Sequence, residues 1–260
     1  MTVGTLEDIL DILDVLLTAG IIAGMFLRFR GRKLTTAAAF FIFAMVSLLL
    51  TNAYWLAHSL LRPDARIPMA ANTIGECALY LLLSAAMNAA VPDRRFTFSP
   101  QVFFTVLFAV ASIALWIAWT GEWVQDILGG IAFGYLLVCC AWRLRQLSVL
   151  SKTEWIALGV LTAAYTALFA LDLKDERPLC TVTAHILMFA TMIWFLYRAF
   201  RSIRRGETAG RQIVLSVSAC AICLSGVYMS GGPWYVAAEV LRMLSMPLML
   251  VAFGREAEDE

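Results

Sequence analysis

Apolar residues run through this chain in long blocks separated by short polar stretches, without the two-residue alternation of a half-buried strand. Nine blocks stand out, at residues 10–27, 35–60, 67–91, 101–120, 127–142, 155–171, 181–197, 212–229 and 235–253. Most reach the roughly 17–25 residues that a helix needs to cross the hydrocarbon layer, while 127–142 and 181–197 are short. In lipid, backbone N–H and C=O groups must be satisfied within a helix or around a closed barrel. Runs without alternation exclude the barrel. The pattern therefore predicts an all-α fold, a polytopic integral membrane helical bundle in which residues 1–260 form a single transmembrane domain.

Composition agrees, with 61% hydrophobic and only 15% charged residues, against roughly 25% charged in a soluble domain. The formal charge of +1 is uninformative, but its distribution along the chain carries orientation. With the N-terminus outside, the inner segments hold Arg28, Arg30, Arg32, Lys33, Arg94 and Arg95, then Arg143, Arg145 and Lys152. They also hold Arg198, Arg201, Arg204, Arg205, Arg211 and Arg255. Outer loops hold only Arg62, Arg66, Lys174 and Arg177, and Arg242 falls inside a span. That asymmetry follows the positive-inside rule for nine spans with the N-terminus outside and the C-terminus cytoplasmic. The expected location is a bacterial-type cytoplasmic (inner) membrane.

Glu7, Asp8, Asp11 and Asp14 replace the basic n-region of a secretory signal, so the first block is expected to remain as a span. The six cysteines make no disulfide framework, and Cys220 and Cys223, one turn apart inside a span, read as small packing residues. The basic inner connections near 143–153 and 198–211 read as solvated loops touching lipid headgroups, not as nucleic-acid sites. The acidic C-terminal residues are too few to form an output domain. Gly20 and Gly24, and Gly130 and Gly134, have the spacing that lets helices approach closely, for internal packing or an oligomer face.

Glu76 is the residue most out of place, a carboxylate in the middle of the third block, where it costs several kcal/mol unless paired or neutral. If the hairpin turns around Asp64, Asn52 and Glu76 share a level, with Glu76 roughly 15 Å deep. Arg242 lies at a similar depth in the last block, with Glu239 one turn away on the same face. A guanidinium held by Glu76, Glu239 or both is the expected arrangement, either as a structural clamp or as the floor of a binding site. Asn72, Glu76 and Tyr80 line one helix face, and Thr51, Asn52, Trp55 and His58 form a neighbouring arc. With Tyr165, Asp172 and His185 these residues are candidates to line an outward-facing cavity, while most tryptophans near the outer boundary, Trp116 included, read as an interfacial belt.

Two histidines are too few for the usual catalytic zinc, and no P-loop or dinucleotide motif is present, so neither metal nor cofactor is expected. The stretch Asn52-Ala53-Tyr54-Trp55-Leu56-Ala57-His58, followed by Pro68-Met69-Ala70-Ala71-Asn72-Thr73-Ile74-Gly75-Glu76, resembles multi-pass sensory modules of bacterial signalling proteins. The resemblance implies an extracytoplasmic sensor that acts through a separate signalling partner, because this chain shows no kinase or cyclase region. The expected function is thus sensory or ligand/lipid binding by the cluster of Asn52, Trp55, His58, Asn72, Glu76, Tyr80, His185, Glu239 and Arg242. Two alternatives stay open: a secondary transporter or transporter subunit with Glu76 as its proton-linked residue, and a lipid-modifying enzyme using His58, His185 and an acid.

Overall fold

The computed structural model describes residues 3–61, 71–91, 95–175 and 177–259. Among them are nine helices: α1 Val3–Arg28, α2 Thr36–Leu61, α3 Ala71–Ala90, α4 Pro100–Thr120, α5 Trp123–Gln146, α6 Lys152–Asp175, α7 Pro178–Arg204, α8 Ala209–Tyr228 and α9 Gly232–Asp259. No strand occurs among the described residues. All nine helices are long and apolar enough to cross a membrane, which fits an integral membrane protein. The expected turn at Asp64, the segment 68–70, and Arg62, Arg66 and Arg94 lie outside the described residues.

Local chemistry sets several boundaries. Ser99 caps α4 by accepting a hydrogen bond from Val102 N, and Pro100 takes the first helical position, where its missing N–H costs nothing. Gly121 closes α4 in the left-handed region at φ 74°, and α5 restarts two residues later. The connection between the blocks 101–120 and 127–142 is therefore only Gly121 and Glu122. The blocks 127–142 and 181–197 also underestimate their helices. Helical hydrogen bonding continues past the apolar stretch, and Arg143, Arg145, Arg201 and Arg204 sit in the last turns of α5 and α7, where cations complement the helix dipole. The acidic C-terminal residues likewise extend α9 as far as Asp259, and Glu256 accepts a hydrogen bond from Thr35 at 3.2 Å.

Short connections make successive helices run up and down. The end where α1 begins is called upper here, the other lower. Sequential neighbours pack as α1–α2, α2–α3, α4–α5, α6–α7, α7–α8 and α8–α9, and the ring closes where α3 meets α5, α4 meets α6, α7 meets α9 and α9 meets α1. α8 runs through the middle against α3, α5, α7 and α9. In its apolar window 72% of residues are buried, against 11% in α6 at the periphery. Large apolar side chains such as Phe43, Leu50, Phe104, Val160, Ile193 and Leu244 point outward, an exterior suited to lipid.

At the lower end the basic residues are tied into the bundle more than solvated loops would be. Arg198 binds Glu154 and the Val149 carbonyl, and Arg143, only 2% exposed, donates to Asn88 Oδ1 at 2.8 Å. Arg28 and Arg255 donate to the carbonyls of Gly254 and Ile203. Gly130 and Gly134 face α4, where Cβ atoms would press on Ile113 and Ala109, so this pair serves internal packing. Gly20 faces open space. The six cysteines are free thiols, with Cys220 and Cys223 buried in α8.

Candidate functional site

Two helices bring charge together in the upper half of the bundle. Asp14 on α1 and Glu239 and Arg242 on α9 are all nearly inaccessible. Arg242 Nε donates to Glu239 Oε2 at 2.8 Å, its Nη2 also reaches Glu239 Oε1, and the same Nη2 donates to Asp14 Oδ2 at 2.6 Å. Spacing of three residues puts Glu239 and Arg242 on one face of α9, while the packing of α1 on α9 supplies Asp14. Asn52 on α2 donates its side-chain amide to the same Asp14 Oδ2. Two carboxylates therefore share one guanidinium, and Asp14 Oδ1 is buried without a hydrogen-bond partner among the described residues.

The expected pairing of Glu76 with Arg242 is replaced by a different arrangement. Tyr80 donates to the Tyr228 hydroxyl at 2.5 Å, and Tyr228 donates to Glu76 Oε2. Glu76 occurs only five residues after the first described residue of α3, whereas Asp14 and Arg242 each occur about ten residues into their helices. Depth decides the partner: Asp14 is level with Arg242, and Glu76 meets the last residue of α8 above them. Gly75 is what allows α3 to lie so close to α2. A Cβ there would collide with Thr51 Oγ1 and stand 3.3 Å from the Ser47 carbonyl.

Both clusters open on one cavity of about 610 Å³ between α1, α2, α3, α4, α5, α8 and α9. Of the residues expected at a site, Asn52, Trp55, His58, Asn72, Glu76, Tyr80, Glu239 and Arg242 all line it. His185 does not. It stacks on Trp234 with ring centroids 4.8 Å apart, and its Nδ1 lies 2.8 Å from the Thr181 carbonyl. Tyr165 lines a separate, mostly apolar cavity between α4 and α8, and Asp172 accepts a hydrogen bond from Thr181. Trp116 is a wall of the polar cavity, not part of a belt. It is 6% exposed, packs on Phe133 and Tyr228, and points its indole N–H at Met229 Sδ.

No protein-family model matches the chain, and neither a curated protein nor a solved structure matches it.

Asp14, Tyr228 and Ser230 are among the further residues of the cavity wall, and sequence reasoning missed all three. Asp14 carried a signal: it lies within the block 10–27, one turn after Asp11, so it shares the anomaly of Glu76. Tyr228 and Ser230 sit where a span gives way to a turn, a place where polar residues attract no notice. Beneath the cavity the chemistry changes. Met25, Phe41, Met45, Met246, Met249 and Phe253 are fully buried, and Phe41 stacks on Phe253 at 4.4 Å. The arrangement is a polar vessel with a fixed ionic floor above an apolar plug.

Proposed function

We propose that this protein lies in a bacterial-type cytoplasmic membrane with its N-terminus outside, binds a small polar molecule in the upper cavity, and acts through a separate signalling partner. The observation that carries the reading is the cavity of about 610 Å³ whose floor is the Asp14–Arg242–Glu239 cluster. A clamp that served only to fix helix register would be enclosed by packed side chains. Here the ions face a space of ligand size, lined by aromatic residues and a few convergent polar groups. The excess of Lys and Arg in the connections at the lower end supports placing that end in the cytoplasm, so the cavity opens outward.

The apolar plug supports a receptor over a carrier, because a transport path must continue to the other side. The carrier reading keeps one specific support. Glu76 is hydrogen-bonded by Tyr228, and Tyr228 by Tyr80, a chain of hydroxyls ending on a carboxyl group at the mouth of the vessel. The lipid-modifying enzyme has less support, because His185 lies outside the cavity that His58 lines.

Thiol labelling tests the reading. In a chain with Cys77 and Cys180 replaced by Ser, Asn72→Cys is expected to react with a membrane-impermeant trimethylammonium methanethiosulfonate added outside intact cells. Arg205→Cys, exposed at the lower end, is expected to react only after permeabilisation. A sealed Asn72→Cys in both conditions removes the pocket, and the reverse sidedness removes the orientation.

A further inference from the structure

We infer that the ligand of the upper cavity is a small organic cation, whose ammonium group sits against Asp14 Oδ1. The inference rests on the pocket reading above and names the chemistry the pocket selects. The cavity wall carries Asp14, Glu76, Asp126 and Glu239, and among the described residues its one arginine is Arg242. That arginine is already shared by Asp14 and Glu239. Two carboxylates against one guanidinium leave the buried cluster one positive charge short, an arrangement a low-dielectric interior penalises unless a proton or a further cation neutralises it.

Where that cation goes is set by a separate observation. Asp14 is 2% exposed, and its Oδ2 is occupied by Arg242 and Asn52. Its Oδ1 has no hydrogen-bond partner among the described residues, and Asp14 borders the cavity. An acceptor of this kind needs an N–H or O–H donor, and a ligand ammonium brings both the donor and the missing charge. The side walls suit the rest of such a molecule. Tyr54, Trp55, Trp116, Trp119, Tyr228 and Tyr235 surround the space with the π faces that attract alkylammonium groups. An inorganic ion fits less well: among the described residues no group of three His, Cys, Asp or Glu side chains is placed to hold a metal.

The test uses the full-length protein in detergent micelles, with butylammonium, butyrate and 1-butanol as probes of one size and three charges. Tryptophan fluorescence reports occupancy, because Trp55, Trp116 and Trp119 line the space. Butylammonium is expected to give a saturable change and to slow methanethiosulfonate labelling of Asn72→Cys, with butyrate and 1-butanol at least about tenfold weaker. Asp14→Asn is expected to weaken butylammonium by about tenfold or more. Butyrate or 1-butanol binding as well as butylammonium overturns the inference, as does an unchanged affinity in a folded Asp14→Asn. If Asp14→Asn does not fold, the charge preference of the unmodified chain decides alone. A thiol at Asn72→Cys that reacts freely but is protected by none of the three probes rejects the cation while leaving the pocket, whereas a sealed thiol rejects the pocket itself.

Discussion

At the scale of single residues, the deciding fact is that one guanidinium serves two carboxylates on different helices. Removing it strands both acids in a buried site, so Arg242→Gln is expected to destabilise by about 3–5 kcal/mol, read from thermal unfolding in detergent. The partner is identified by coupling. Asp14→Asn combined with Arg242→Gln is expected to cost at least about 1 kcal/mol less than the sum of the single changes. Glu76→Gln combined with Arg242→Gln is expected to be additive to about 0.5 kcal/mol, because Glu76 bonds to Tyr228. Equal coupling in both pairs would contradict the arrangement. Tyr228→Phe removes a hydroxyl that donates to Glu76 and accepts from Tyr80, so a loss of about 1–3 kcal/mol is expected, larger than for Tyr80→Phe. Glu239 and Arg242 were legible as a pair because helix geometry alone puts them on one face. Asp14 was not, because its importance depends on α1 packing beside α9, a contact between opposite ends of the chain.

At the scale of helices, small residues decide which faces approach. Gly75 faces Thr51 with no room for a Cβ, and it sits one residue before Glu76. Gly75→Val is therefore expected to push α3 from α2 and cost about 1–3 kcal/mol, with cavity ligands weakened alongside. Gly20→Ala meets open space and is expected to be neutral, or to stabilise by a few tenths up to about 1 kcal/mol through helix propensity. Unfolding temperatures of the two variants should move in opposite directions or differ by several degrees. The spacing Gly-x-x-x-Gly occurs twice within helices, yet only the pair in α5 meets a neighbour along its whole length. Spacing reveals that a face is small but not what lies opposite.

At the scale of the molecule, the two ends of the bundle differ in kind. The lower end is tied by arginines that reach backbone carbonyls and acids of other helices, and the upper end holds the cavity. Charge asymmetry between those ends predicts the orientation. A fluorescent protein fused after Glu260 is expected to mature in the cytoplasm, and a protease site placed before Thr2 is expected to be cut from outside intact cells. Fusions with the opposite pattern would invert the proposed topology and turn the cavity inward.

Number and class of the helices followed from the sequence, because crossing about 30 Å of hydrocarbon demands long apolar runs and internally satisfied backbones. Those are properties of contiguous segments, and contiguity is what a sequence displays. Eight of the nine residues that the sequence assigned to a site line the cavity, since polar residues within apolar blocks are visible one at a time. Which charges meet was decided by the tertiary structure. Asp14 reaches Arg242 across 228 positions of chain, and Glu76 reaches Tyr228 across 152. Depth and helix adjacency select those partners, and neither is a property of any one segment.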